Sequence, residues 1–156
     1  MATEEENQKL MRMMSLMISG MAKALHDMFG DSAFAVMSEV GKTTLELMEK
    51  EMGLKVEGKE PEDMLAAIGR IFTESMGFVD SFSVSRDGKQ LIVTVHHCQG
   101  WEMTQSVLKT GVEVPFTYPI MNVCQAALIR MGHPARKQIE PIPESNGSTI
   151  TFTLVD

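Results

Sequence analysis

One short stretch gathers the chain's rarest reactive side chains. His96-His97-Cys98-Gln99-Gly100-Trp101 holds the only Trp, one of two Cys and two of four His. The segment Gly111-Val112-Glu113-Val114-Pro115-Phe116-Thr117-Tyr118-Pro119 follows with the only Tyr, and the next apolar run carries Cys124. Imidazole, thiol, indole and phenol can do three kinds of chemistry here. They can orient a small molecule in an apolar pocket, ligate a metal, or form a nucleophile and its base.

The pocket reading starts from period-two geometry. A strand over 90–98 puts Leu91, Val93, Val95 and His97 on one face and Ile92, Thr94, His96 and Cys98 on the other. His97 or Tyr118 would orient a ligand, with Trp101, Phe116 and Met121 giving contact area. The plainer alternative is that His97 is a hydrogen-bonded histidine at the core edge and Trp101 fills the core. For a metal, His96 and Cys98 share a strand face, and Cys124 or His133 could join them; thiolate with imidazole favours zinc. The tight paired spacing of zinc motifs is missing, so free thiols are expected. A cysteine nucleophile would need His97 or His133 as base and a third, orienting group that no spacing supplies, so no catalytic residue is assigned.

Two further motifs carry little. Glu39 could act as an acid or base in a helical groove, but the edge of an apolar stripe is its expected place. Gly41-Lys42-Thr43-Thr44 has the ending of a phosphate-binding loop, yet the earlier Gly that loop needs falls at Val36, inside a helical pattern. Nucleotide binding is rejected on that motif.

The elements that must position these residues read as α+β: N-terminal helices packed on an antiparallel sheet of about four strands, with a further helix between two hairpins. Leu10, Met13, Met14, Met17, Met21, Leu25 and Met28 recur at helical spacing and predict an amphipathic helix within 1–29. Its methionines, seven of the chain's fifteen when Met1 and Met11 are included, suit core packing or a dimer surface. Residues 32–52 predict a second helix with Val36, Met37, Val40, Thr44, Leu47 and Met48 on one face. Pro61, with Glu62 and Asp63 in the first turn, opens a third, whose buried stripe is Leu65, Ile68, Ile71, Phe72 and Met76. Alternation over 78–85, the Asp87-Gly88 turn and 90–98 then predict a hairpin. Ile120, Val123, Cys124, Ala127, Leu128 and Met131 mark a fourth helix, and 135–142 with 148–155 a second hairpin.

A chain of 156 residues fits one domain spanning 1–156. A formal charge of -7 argues against nucleic acid as a partner. The acidic N-terminus and the charges interrupting the Met-rich stretch predict neither export nor a membrane span, and two free thiols fit the cytoplasm.

The order of elements resembles the 4-vinyl-reductase-like hydrocarbon-binding domains, most clearly over Phe34 to Gly41, Met76 to Val84 and Cys98 through Gly132. That resemblance implies a wider ligand-binding fold shared with nitric-oxide-sensing haem domains and small vesicle-trafficking subunits. It implies a dimer holding a small aromatic or apolar molecule between helices and sheet, with His97 and Trp101 matching the pocket groups of phenol-sensing relatives. Several members hold zinc in the last hairpin through cysteines; here the stretch Glu140 to Thr149 has none, so no cofactor is expected. A haem would need an axial ligand, and none of His26, His96, His97 and His133 is distinguished as one. The leading expectation is thus a non-catalytic homodimeric domain that binds or senses a small apolar or aromatic molecule. A metal- or haem-dependent sensor or enzyme using His96, His97, Cys98 or Cys124 is the alternative, and a protein-interaction subunit without small ligand the third.

Overall fold

A computed structural model describes residues 1–156. Five helices, α1 (Glu4–Phe29), α2 (Ala33–Met52), α3 (Pro61–Arg70), α4 (Trp101–Lys109) and α5 (Pro119–Arg130), accompany four strands, β1 (Ser81–Asp87), β2 (Gln90–His96), β3 (Ala135–Ile142) and β4 (Gly147–Leu154). The strands form one antiparallel sheet of order β1-β2-β4-β3, as two hairpins lying side by side give. The expected α+β architecture holds. No helix is long and apolar enough to cross a membrane.

Alternation along the strands creates the main core. Leu91, Val93 and Val95 of β2 and Ile150 and Phe152 of β4 are fully buried, whereas Thr94, Thr149 and Thr151 lie on the opposite, helix-free face. Over the buried face pack α5, apolar nearly all round, and α3, whose Leu65 and Ile68 join the same cluster. Helix α2 then packs on α5 as an outer layer, and α1 packs chiefly on α4. Gly41 explains the close α2–α5 approach: a Cβ there would run into the backbone carbonyl of Asn122. The phosphate-loop lookalike is thus a helix-packing site.

Several boundaries and faces differ from expectation. Helix α3 continues as a π-type turn, Ile71–Ser75, so Met76 ends up exposed rather than in the buried stripe. Helix α2 buries Ala33, Met37, Gly41 and Leu45, and leaves Val36, Val40 and Leu47 in solvent. The α1 stripe is displaced in the same way. Ser19 and Ala22 are the buried positions, with Ile18 and Leu25 partly covered, while Met13, Met14, Met17, Met21 and Met28 are exposed. Small residues let α1 approach its neighbour closely, and the larger thioethers are left pointing outward.

Candidate functional site

Strand β2 ends at His96, one residue before the position on which the pocket reading rested. His97 takes a left-handed backbone conformation, φ 52°, and is exposed, so it does not continue the face of Leu91, Val93 and Val95. Two backbone bonds hold this turn to the β3–β4 connection: His97 N–H donates to Ser145 O at 2.7 Å and Cys98 N–H to Asn146 O at 3.0 Å. The turn sends His97 out and Cys98 in. It also starts α4 at Trp101, directly over the sheet edge.

A cleft of about 130 Å³ lies there, lined by Trp101, Thr104 and Leu108 of α4, Glu113, Pro115 and Tyr118 of the following loop, and Ile139, Pro141 and Ser148 of the β3–β4 hairpin. Helical spacing aligns Trp101, Thr104 and Leu108 on one face of α4, and strand alternation puts Ile139 and Pro141 on one face of β3. Its volume is comparable with the roughly 150 Å³ apolar cavity that accommodates benzene in an engineered protein. The scale is that of a single-ring molecule.

The polar groups of the cleft are few and unequal. Thr104 Oγ1 is already committed, donating to Gly100 O at 3.2 Å. Tyr118, only 4% exposed, donates its phenolic proton to Cys98 Sγ at 3.3 Å. Burial pushes the Tyr118 phenol well above its ordinary range, so it stays protonated, and its oxygen can still accept. Ser148, also 4% exposed, has a buried Oγ that forms no hydrogen bond of good geometry within the chain, although it lies close enough to the Tyr118 hydroxyl to lower that phenol slightly against the effect of burial. An unpaired buried hydroxyl costs about 1–3 kcal/mol. Glu113 stands exposed at the rim.

Of the expected pocket residues, Trp101 and Tyr118 come together in this cleft, and three do not. His97 is turned to solvent. Phe116 is buried in a separate small cluster with Ala22, Ala33, Met37, Val107 and Val112, its ring 5.3 Å from that of Phe34. Met121 lies on the core side of α5. Sequence reasoning missed Leu108, Ile139, Pro141 and Ser148; the i, i+7 pairing of Trp101 with Leu108 was the signal that could have found the helical wall.

The metal candidates do not converge, and no group of three or more His, Cys, Asp or Glu could hold an ion. His96 points to the helix-free face of the sheet, where its Nδ1 shares a 2.7 Å hydrogen bond with Ser145 Oγ. Cys98 sits under Tyr118, Cys124 is fully buried in the core, and His133 is exposed after α5. Burial raises both thiols above their ordinary value, which makes them poor ligands and poor nucleophiles. No His or Cys lines the cleft, so its residues do not fit a haem or a zinc ion.

The family model described as "Putative rubredoxin C-terminal domain" matches residues 14–156, and the chain belongs to that family. No curated protein matches the sequence. Among solved structures the chain is similar to a trafficking protein particle complex subunit 3 from Naegleria fowleri, covalently bound to palmitic acid, with 11% identity and a TM-score of 0.55 over 92% of this chain and 94% of that one. It is likewise similar to the phenol-responsive sensory domain of the transcription activator PoxR with phenol, with 11% identity and a TM-score of 0.58 over 90% and 74% of the two chains. These likenesses establish a shared fold. They support the fold and not the narrower 4-vinyl-reductase-like label.

Proposed function

We propose that this domain is a non-catalytic binding or sensing module for a small, mostly apolar molecule, of aromatic or hydrocarbon type, carrying one polar group. The observation that carries this reading is Ser148: a buried hydroxyl beside Tyr118 that makes no well-formed hydrogen bond, at the wall of a cleft that also has Trp101, Leu108, Pro115, Ile139 and Pro141. A ligand hydroxyl would satisfy Ser148 Oγ while its ring covers the indole of Trp101. Phenol and palmitic acid, held by the two similar structures, are both apolar molecules with one polar end. Sensing without chemistry suits a cleft that no thiol or imidazole lines and whose one carboxylate, Glu113, stands at the exposed rim.

The partner side of the proposal is a second copy of the chain. Leu10, Met13, Met14, Met17 and Met21 expose 44–61% of their surfaces along α1, a continuous apolar stripe that a second copy would cover. We place the homodimer in the cytoplasm, where two free thiols persist.

The test is a ligand panel read by the fluorescence of the single Trp and by thermal shift. Phenol and related single-ring molecules are expected to quench Trp101 and raise the melting temperature, because a ligand bound only to the native state stabilises it. Trp101→Phe should weaken binding modestly, and His97→Leu should leave it unchanged, since His97 faces solvent. A panel giving neither quenching nor shift would reject the reading.

A further inference from the structure

Outside the cleft, the side chain of Lys137 on β3 lies half-buried against α5 with no negative charge to meet it. No carboxylate is within ion-pair distance of its nitrogen. Its partners are two neutral amide oxygens: Nζ donates to Asn122 Oδ1 at 2.9 Å and to Gln125 Oε1 at 2.6 Å. Both amides are fixed in orientation by backbone carbonyls. Asn122 Nδ2 donates to Phe116 O at 2.9 Å and Gln125 Nε2 to Ala135 O at 3.3 Å, which leaves each amide oxygen facing the lysine. From α2, Ser38 Oγ donates to Gln125 Oε1 at 3.3 Å and closes the cluster.

Charge, more than hydrogen-bond number, distinguishes the two forms of this lysine. An ammonium carries three N–H donors, and the cluster accepts two. A neutral amine carries two N–H donors and one lone pair, so the two amide oxygens use both donors and leave the lone pair in the remaining tetrahedral direction. Water can take a third N–H of this half-buried group, so it is in charge that the cluster matches the neutral amine: two neutral amide oxygens and no carboxylate meet the nitrogen. We propose that Lys137 is a nucleophilic amine that captures small aldehydes reversibly as an imine. The nitrogen lone pair forms a bond to the carbonyl carbon, the π pair moves to oxygen, and the amine proton follows it to give a carbinolamine. Loss of the hydroxyl with the second N–H proton as water then leaves C=N, so amine and aldehyde give imine and water.

Burial supports this by pulling the Lys137 amine down to about 8. At pH 7 about a tenth of such an amine is neutral, against roughly one in a few thousand for an ordinary lysine. Seven of the other lysines are exposed, and Lys23 is paired with Asp27, so surface amines provide an internal control.

The experiment treats the full chain at pH 7 with benzaldehyde and sodium cyanoborohydride, which reduces the imine to a stable secondary amine, and maps the adducts by peptide mass spectrometry. Lys137 should be labelled at least about tenfold faster than any other lysine, and Lys137→Met should lose that adduct alone. Gln125→Glu supplies a variant that keeps the lysine: a carboxylate beside it restores the ammonium, so labelling at pH 7 should fall about tenfold and its pH midpoint should move up. Even labelling across the lysines, or an unchanged midpoint in Gln125→Glu, would overturn the proposal. Ligand binding in the cleft does not touch Lys137, so the two proposals stand or fall separately.

Discussion

Two apolar clusters of very different size share this domain. Under α3 and α5 lies a continuous core of 23 buried residues joined to the sheet by Leu91, Val93, Val95, Ile150 and Phe152. Beneath α1 and α4 lies one of six, Ala22, Ala33, Met37, Val107, Val112 and Phe116. The cleft sits on the seam between them: Ile139, Pro141 and Ser148 belong to the well-anchored sheet, while Trp101, Thr104 and Leu108 belong to a nine-residue helix held on the small cluster. Val107 faces that cluster and Leu108 the cleft, so one helix couples the two. On the proposed sensing role, occupancy of the cleft would be reported as a change in the position or order of α4, the wall held on the smaller cluster.

The sharpest way to break this comparison is to truncate each cluster. Val93→Ala in the large core should cost about 2–3 kcal/mol and Val107→Ala in the small one only about 1 kcal/mol, measured by denaturant unfolding. Equal losses would mean that the clusters are one core. Charging the outer face of the small layer comes next. Met14→Glu with Met17→Glu should weaken self-association about a hundredfold, roughly 3 kcal/mol, through buried unpaired charge, with helicity retained. Sizing chromatography of a wild type that stays monomeric at high concentration would remove the dimer.

A smaller effect concerns the tie between the outer and inner layers. Arg130 at the end of α5 donates to both carboxylate oxygens of Glu49 on α2, at 2.8 and 3.0 Å, and to Val56 O at 2.9 Å. The Arg130 hydrogen bonds hold the Glu49 carboxyl below its ordinary value of 4.5. A lowered carboxylate stabilises the fold above that value and loses its contribution as pH falls below it. Glu49→Gln should cost about 1 kcal/mol at pH 7 and flatten that acid limb.

Lys137 is also lowered, so it gives a slope of the same sign in an alkaline window. Its folded value, about 8, lies below the ordinary 10.5, so the unfolded chain holds the extra proton between them and stability rises with pH through that window. Cys98, Cys124 and Tyr118 are raised and pull the other way at alkaline pH. The expected observation is therefore a difference: wild type gains on Lys137→Met between about pH 8 and 10.5.

The fold was largely legible because its periods are clean: β2 alternates, and Pro61 and Pro119 open their helices. Chain order alone, however, does not show which side of an apolar helix meets its neighbour. In α1 and α2 the close contacts fall on Ser19, Ala22, Ala33 and Gly41, where small size allows approach, and a hydrophobic stripe predicts the larger residues instead. The site was half legible for a similar reason. Trp101 and Tyr118 stand out by rarity, but the positive φ at His97 reverses the expected side-chain direction. Ser148 is one serine among many until the sheet buries it.

The central claim is that Ser148 anchors the polar atom of a mostly apolar ligand. Titrating wild type and Ser148→Ala with phenol and with toluene, by calorimetry, tests it directly. Wild type should prefer phenol, and Ser148→Ala should lose about five- to tenfold of that preference, roughly 1 kcal/mol, while toluene affinity stays level. An unchanged preference, or equal loss of both ligands, would contradict the account.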